Sequence, residues 1–339
     1  MEQYLGRASI WPQRPVYILA GASVVGTKEG EGPLGALFDQ IGEDDLFGCA
    51  NWEEAESAMQ KKAFSIVLRK AGLKPQEVRF LYAGDLLGQS IASSFGLEEY
   101  QIPFLGVYGA CSTCGEALTL ATMAISGGYG EPAAVVTSSH FASAEKEFRY
   151  PMEYGNQRPL SASWTVTGSG AFLLGSRREG SVARVSGITV GKIVDYGLKD
   201  SMNMGACMAP AAASTLVQHF EDFNRTPKDY DCIITGDLGR IGTEALSKIL
   251  QEQGIDLSGK LKDCGVTIYD TEKQDAHAGG SGCGCCACVL AAYILRELRE
   301  GTWKKILFLP TGALLSKTSF NEGRSIPAIC HAIVLETVS

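Results

Sequence analysis

The chain repeats itself once, with a period of over a hundred residues, and this repeat limits its fold more than any other feature. Phe80-Leu81-Tyr82-Ala83-Gly84-Asp85-Leu86 and Cys232-Ile233-Ile234-Thr235-Gly236-Asp237-Leu238 are apolar, strand-like runs that both end in Gly-Asp-Leu. A helix-compatible stretch follows each, Ile91 to Phe95 and Thr243 to Leu250. Next comes GACSTCGEALTLATMAISGGYGEPAAVVTSSH, with small residues and cysteines, a helix, a Gly-rich break and a strand from Ala133 to Thr137. GGSGCGCCACVLAAYILRELREGTWKKILFLPTGA has the same order, with its strand at Lys305 to Leu309. The first strands (Val16 to Gly21, Val182 to Gly187) and the last (Gly170 to Leu174, Cys330 to Leu335) also correspond.

A repeat of this length is a duplicated domain, not a solenoid. Each half reads β-α-β-α-β-α-β-β, which predicts an α/β body with helices on the faces of a mainly parallel sheet. The expected halves are residues 1–180 and 181–339, packed as an α/β/α/β/α stack. Ligands in such folds collect at the carboxyl ends of strands and at helix N-termini. Cys111, Asp85, Asp237, His277 and Gly312 all fall at such places.

Composition removes several function classes. The net charge is −8 and no basic stripe occurs, so nucleic acid is not an expected partner. MEQYLGRASIWPQRP lacks the apolar core of a secretory signal, and the longest apolar stretch, Cys286 to Leu295, is too short to span a bilayer. Any membrane association is therefore expected to be peripheral.

The eleven cysteines pose the chemical question. Four lie in GCGCCAC (Cys283, Cys285, Cys286, Cys288), too crowded for a disulfide ladder, so free thiols in a reducing compartment are expected. Thiols that begin a helix fan around its axis and do not readily enclose a zinc ion, and small packing residues explain the run equally well. Gly109-Ala110-Cys111-Ser112-Thr113-Cys114-Gly115 stands at a strand-to-helix turn. Its two cysteines fit a redox dithiol, half a metal site, a nucleophile with a neighbour, or packing. The macrodipole of the following helix is expected to lower the pKa of Cys111. Lys28, in the glycine-rich loop 26–35, is a candidate to meet an anion, with a solvated loop as the alternative. His140 follows a strand end near the expected pocket, while His331 reads as a core histidine. Asp85 and Asp237 read either as helix caps or as ligand-lining groups.

The duplicated layout, with a cysteine at a sharp turn before a buried helix, resembles the thiolase-like superfamily of thiolases and β-ketoacyl-carrier-protein synthases. A closer resemblance, to the stage V sporulation protein AD family, runs from end to end. It is carried by VVGTKEGEGPLG (24–35), FLYAGDLLGQ (80–89), GACSTCGEAL (109–118), DAHAGGSGCGC (275–285), LPTGALLSKTSFNEGRSIP (309–327) and HAIVLE (331–336).

These resemblances imply a site and a role. Cys111 falls where condensing enzymes hold their acyl-accepting thiol. Those enzymes also need two donors, and Gly236 stands where one histidine belongs, with Asp237, an acceptor when ionised, beside it. His277, in DAHAGG, is the remaining histidine expected to face Cys111. The close family implies binding of dipicolinate (pyridine-2,6-dicarboxylate), with Ca²⁺ as a companion of the ligand and no other cofactor. Backbone N–H groups at the Cys111 turn and in Thr311-Gly312-Ala313 would receive a carboxylate, with Lys28, Arg158 and Arg324 as cationic candidates. Implied partners are membrane proteins of the same sporulation operon at the spore inner membrane. A second copy, paired through Ala133 to Ser138, is a further implied partner. The expectation is thus a dipicolinate-binding subunit on a scaffold without a complete condensing triad. An acyltransferase or condensing enzyme using Cys111 is the alternative.

Overall fold

The computed structural model describes residues 3–87, 89–148 and 157–338. The first half supplies five principal strands: β1 (Val16–Val25), β2 (Phe80–Asp85), β3 (Phe104–Gly106), β4 (Ala133–Ser139) and β5 (Gly168–Gly175). The second half supplies β6 (Ala183–Thr189), β7 (Cys232–Thr235), β8 (Leu261–Asp263), β9 (Lys305–Leu309) and β10 (Ala332–Glu336). Their order across the sheet is β8-β7-β9-β10-β6-β1-β5-β4-β2-β3, so the same five-strand order occurs twice about the antiparallel β6–β1 contact.

The sheet is mixed, which corrects the expectation of a mainly parallel one. In each half the inner strand pairs parallel with two neighbours (β2 with β3 and β4, β7 with β8 and β9). The last strand runs antiparallel to both of its neighbours. No crossover returns the chain to the starting end before that last strand, so antiparallel pairing is the available geometry.

The major helices are α1 (Trp52–Ala71), α2 (Ile91–Leu97), α3 (Thr113–Ser126), α4 (Phe141–Phe148), α5 (Met204–Phe223), α6 (Gly239–Gln251) and α7 (Cys283–Val289). α3 and α7 are almost wholly buried and pack on each other between strands of the two halves. Small side chains allow this approach: Gly115 faces Pro310, Gly284 lies against Ser139, and Gly170 meets Ala287. The four thiols of GCGCCAC fan out as helix geometry requires. Cys283 donates to Ser138 O, Cys285 to Gly236 O, Cys286 to Cys111 O and Cys288 to Val24 O. Among the described residues no group of three His, Cys, Asp or Glu side chains could hold a metal.

The expected pairing edge is corrected as well. Ala133 to Ser138 lies inside β4, which is bonded to β2 on one side and to β5 on the other, and is buried throughout. The first half ends at β3 instead, where Phe104 and Leu105 are 41% and 47% exposed.

Candidate functional site

A cleft of about 450 Å³ opens over the GACST turn. Its wall includes Cys111, Tyr108, the loop after β2 (Leu86, Leu87), and Lys146 on α4. Ser163, Thr165 and Ser281 face it from the short parallel pair Trp164–Thr165 and Gly280–Ser281, and Ala313 and Lys317 close the far side. Lys146 is ion-paired with Glu53 on α1, also in the wall.

Cys111 precedes the first turn of α3, on a tight turn with Ala110 at φ +51°. The turn spends its own donors: Ser112 N–H goes to Gly109 O at 3.0 Å and Thr113 N–H to Ala110 O at 3.2 Å. Gly312 presses on this turn, since a Cβ there would stand 2.3 Å from Gly109 O. Gly312 is therefore a close-packing position, and its neighbour Ala313 lines the cleft.

Asp237 is the group behind the thiol. The Cys111 thiol lies against its carboxylate, and each shifts the titration of the other. Gly282 N–H donates to Oδ2 at 3.0 Å and Thr311 Oγ1–H to Oδ1 at 2.8 Å. Full burial raises the Asp237 pKa to about 7 against these three contacts. The thiol responds in the direction opposite to the sequence expectation. Burial first, and then the Asp237 charge, push its pKa well above the ordinary thiol value. Desolvation plus a like charge in a buried site outweighs a helix terminus. The Cys114 thiol contacts Cys286, and all eleven cysteines are free thiols in this structure.

The remaining candidates disperse. Gly236 leaves no room for a histidine, because even a Cβ would lie 3.0 Å from Pro310 Cα and Thr311 N. His277 does not face Cys111. A left-handed turn (φ +49°) directs its Nδ1 to Pro159 O at 2.9 Å and its Nε2 to Asp275 at 2.8 Å. Asp85 accepts from Ser93 N–H and Oγ–H at 3.1 and 2.9 Å, tying β2 to α2. Its counterpart in the repeat, Asp237, took the other path.

His140 is buried, with Nε2–H on Asp45 O at 2.7 Å and Nδ1 accepting from Ala142 N–H, and burial lowers its pKa. His331 is buried beside Gly191 N–H. Lys28 lies over the Trp164 ring, Arg158 pairs with Asp275, and Arg324 pairs with Glu322 at the surface. None of these cations lines the cleft. The cations that do, Lys146 and Lys317, carry no sequence signal beyond charge: one is a single lysine in a polar helix, the other follows a serine cap.

Comparison with known proteins places the fold and the family. The stage V sporulation protein AD profile matches residues 6–336. The stage V sporulation protein AD of Bacillus subtilis (strain 168) is 42% identical over 324 residues, covering 96% of this chain and 95% of that protein. Among solved structures, AbyA1, a tetronic acid condensing enzyme, superposes with a TM-score of 0.61 at 16% identity, covering 95% of this chain and 99% of that one. The 3-oxoacyl-[acyl-carrier-protein] synthase III of Aquifex aeolicus VF5 gives 0.58 at 14%, with coverage of 95% and 99%. Human mitochondrial 3-ketoacyl-CoA thiolase gives 0.59 at 13%, with coverage of 96% and 99%. The fold is thus that of the thiolases and condensing enzymes, and the chain belongs to the stage V sporulation protein AD family.

Proposed function

We propose that the chain is a binding protein for dipicolinate on a condensing-enzyme scaffold whose nucleophile is silenced. The observation that carries this reading is the Cys111–Asp237 contact. A thiol lying against a buried carboxylate is held protonated, and the histidine position beside it is a glycine closely backed by main chain. A condensing reaction needs a thiolate and two donors at the thioester oxygen.

The cleft suits a flat dianion. Its volume lies in the range of small-molecule pockets. Lys146 and Lys317 offer one cation to each carboxylate, and Ser163 and Ser281 offer hydroxyl donors. Glu53 gives Lys146 a resting partner, and Glu53 with Glu145 supplies oxygen ligands for a Ca²⁺ entering with dipicolinate. Among the described residues no helix is long and apolar enough to cross a membrane. The proposed place at the spore inner membrane is therefore peripheral, through membrane proteins of the same operon.

Calorimetric titration of dipicolinate, with and without Ca²⁺, tests the reading, with pyridine-2-carboxylate as control. Saturable binding that requires both carboxylates is expected. Lys146→Gln is expected to weaken it by roughly tenfold or more, the worth of a charge-assisted hydrogen bond. No saturable binding, or a stable acyl adduct on Cys111 from acyl-CoA, would overturn it.

A second copy is the proposed partner at β3, since an unpaired edge strand carrying exposed Phe104 and Leu105 is a ready template for pairing. Leu105→Lys is expected to shift the chain from dimer to monomer in sedimentation equilibrium. An unchanged mass would remove β3 as the interface.

A further inference from the structure

Lys28, Arg158 and His277 do not meet at Cys111, yet they gather elsewhere. The Lys28 ammonium stands 4.2 Å from the Trp164 ring centroid, and Arg158 Cζ stands 4.6 Å from the same centroid. Phe141 stacks on this indole at 5.3 Å. Ser163 and Thr165 line the cleft and Trp164 does not, so strand alternation sets this cluster behind the cleft wall. Arg158 Nη2–H donates to the main-chain O of Asp275 at 2.7 Å and to its Oδ2 at 3.0 Å. His277 Nε2 lies 2.8 Å from Asp275 Oδ1. Two basic side chains thus converge on a single carboxylate, itself 66% exposed, with Lys28 beside them.

The donors exceed the acceptors. The Arg158 side chain is fully buried, yet its Nε and Nη1 have no acceptor among the described residues. The indole near the guanidinium accepts from neither of these N–H groups, and a buried donor left without an acceptor is costly. Burial, and then the Arg158 charge, lower the Lys28 pKa, the mark of two cations held close together. Asp275 and His277 both stand at positive φ (+50° and +49°), so the carboxylate that Arg158 contacts among the described residues sits on a strained turn.

We propose that Lys28, Arg158 and His277 form an oxyanion-binding site for a small carboxylate or phosphate, and that Asp275 is a resident carboxylate which the ligand displaces. The site is separate from the cleft over Cys111 and does not depend on what the cleft binds.

The test titrates inorganic phosphate, acetate and dipicolinate into the full chain at ionic strength fixed with chloride. Trp164 emission is read as the difference between wild type and Trp164→Phe. A saturable response to phosphate, acetate or both is expected, and their relative affinity assigns the ligand class. Asp275→Asn removes the competing charge and is expected to tighten binding by about tenfold. Lys28→Gln, at a partly exposed position, is expected to weaken it by about as much, and Arg158→Gln to abolish it. Lys146→Gln, in the cleft, is expected to leave the phosphate and acetate responses unchanged. Absence of any saturable response in both wild type and Asp275→Asn would overturn the proposal and leave Asp275 as a permanent partner of Arg158. Responses that survive Arg158→Gln but vanish in Lys146→Gln would also overturn it, by placing the anion in the cleft.

Discussion

Replacing Asp237 with Asn is expected to make Cys111 react with iodoacetamide on the order of a hundredfold faster at pH 9, where the Asp237 carboxylate, pushed up to about 7, is ionised. The carboxylate and the thiol lie against each other, and both are buried. A unit charge about 4 Å away at an effective dielectric near 20 is worth about 4 kcal/mol, or about three pKa units. Removing it releases most of that penalty, while desolvation keeps the thiol above its ordinary value. Reactivity follows thiolate fraction, so the rate at fixed pH rises with it. Intact mass with Cys111→Ala as the blank identifies the adduct, and circular dichroism checks that the variant folds. A slower rate in Asp237→Asn would mean that the carboxylate acts as a base for the thiol. That result would favour the acyl-transfer reading over the binding one.

Glu56→Gln is expected to raise stability at pH 8.5 by a few kcal/mol and to leave it nearly unchanged at pH 5. Glu56 is buried beneath α4, where Ser138 Oγ–H donates to Oε1 at 2.7 Å and Ser143 Oγ–H to Oε2 at 3.2 Å. Burial, and then the Asp85 charge, raise its pKa to about 8. The sign follows from proton counting. Between its unfolded value near 4.5 and about 8, the folded chain holds a proton that the unfolded chain has released. Stability is therefore fully present at low pH and falls as pH rises through that window. Glu29 and Asp237, both pushed up to about 7, add the same sign below pH 7. The Gln variant should keep the Glu29 and Asp237 part of the decline, which ends near pH 7, and lose the Glu56 part, which runs from about 4.5 to about 8. Urea midpoints across pH 5 to 8.5 read this directly. A flat wild-type profile would show that Glu56 is buried in its charged form with compensation.

Much of the fold was legible because local pattern and tertiary role agreed. Val16–Val25, Ala133–Ser139 and Lys305–Leu309 carry apolar runs (Val16 to Ala22, Ala133 to Val136, Ile306 to Leu309), which are what strands covered on both faces require. Strand direction was less legible. The same apolar run satisfies a parallel or an antiparallel neighbour, so nothing in Gly168–Gly175 showed that it would run against β4. For the same reason the free edge was misplaced: the exposed β3, with Phe104 and Leu105, reads as apolar as the buried β4.

At the site, the sequence by itself determined where Cys111 would stand, before a buried helix, because GACST can only make a tight turn of small residues. It also determined that Gly236 would leave the histidine position empty, because glycine brings no side chain. Only the tertiary structure decided what takes that place. The two Gly-Asp pairs are equivalent in the repeat, yet Asp85 bonds Ser93 eight residues away. Asp237 bonds Gly282 and Thr311, 45 and 74 residues away, and lies against the Cys111 thiol. A local pattern can specify a carboxylate at the end of a strand. Which donors meet it, and so whether it caps a helix or holds a thiol protonated, depends on which distant elements the packing brings alongside.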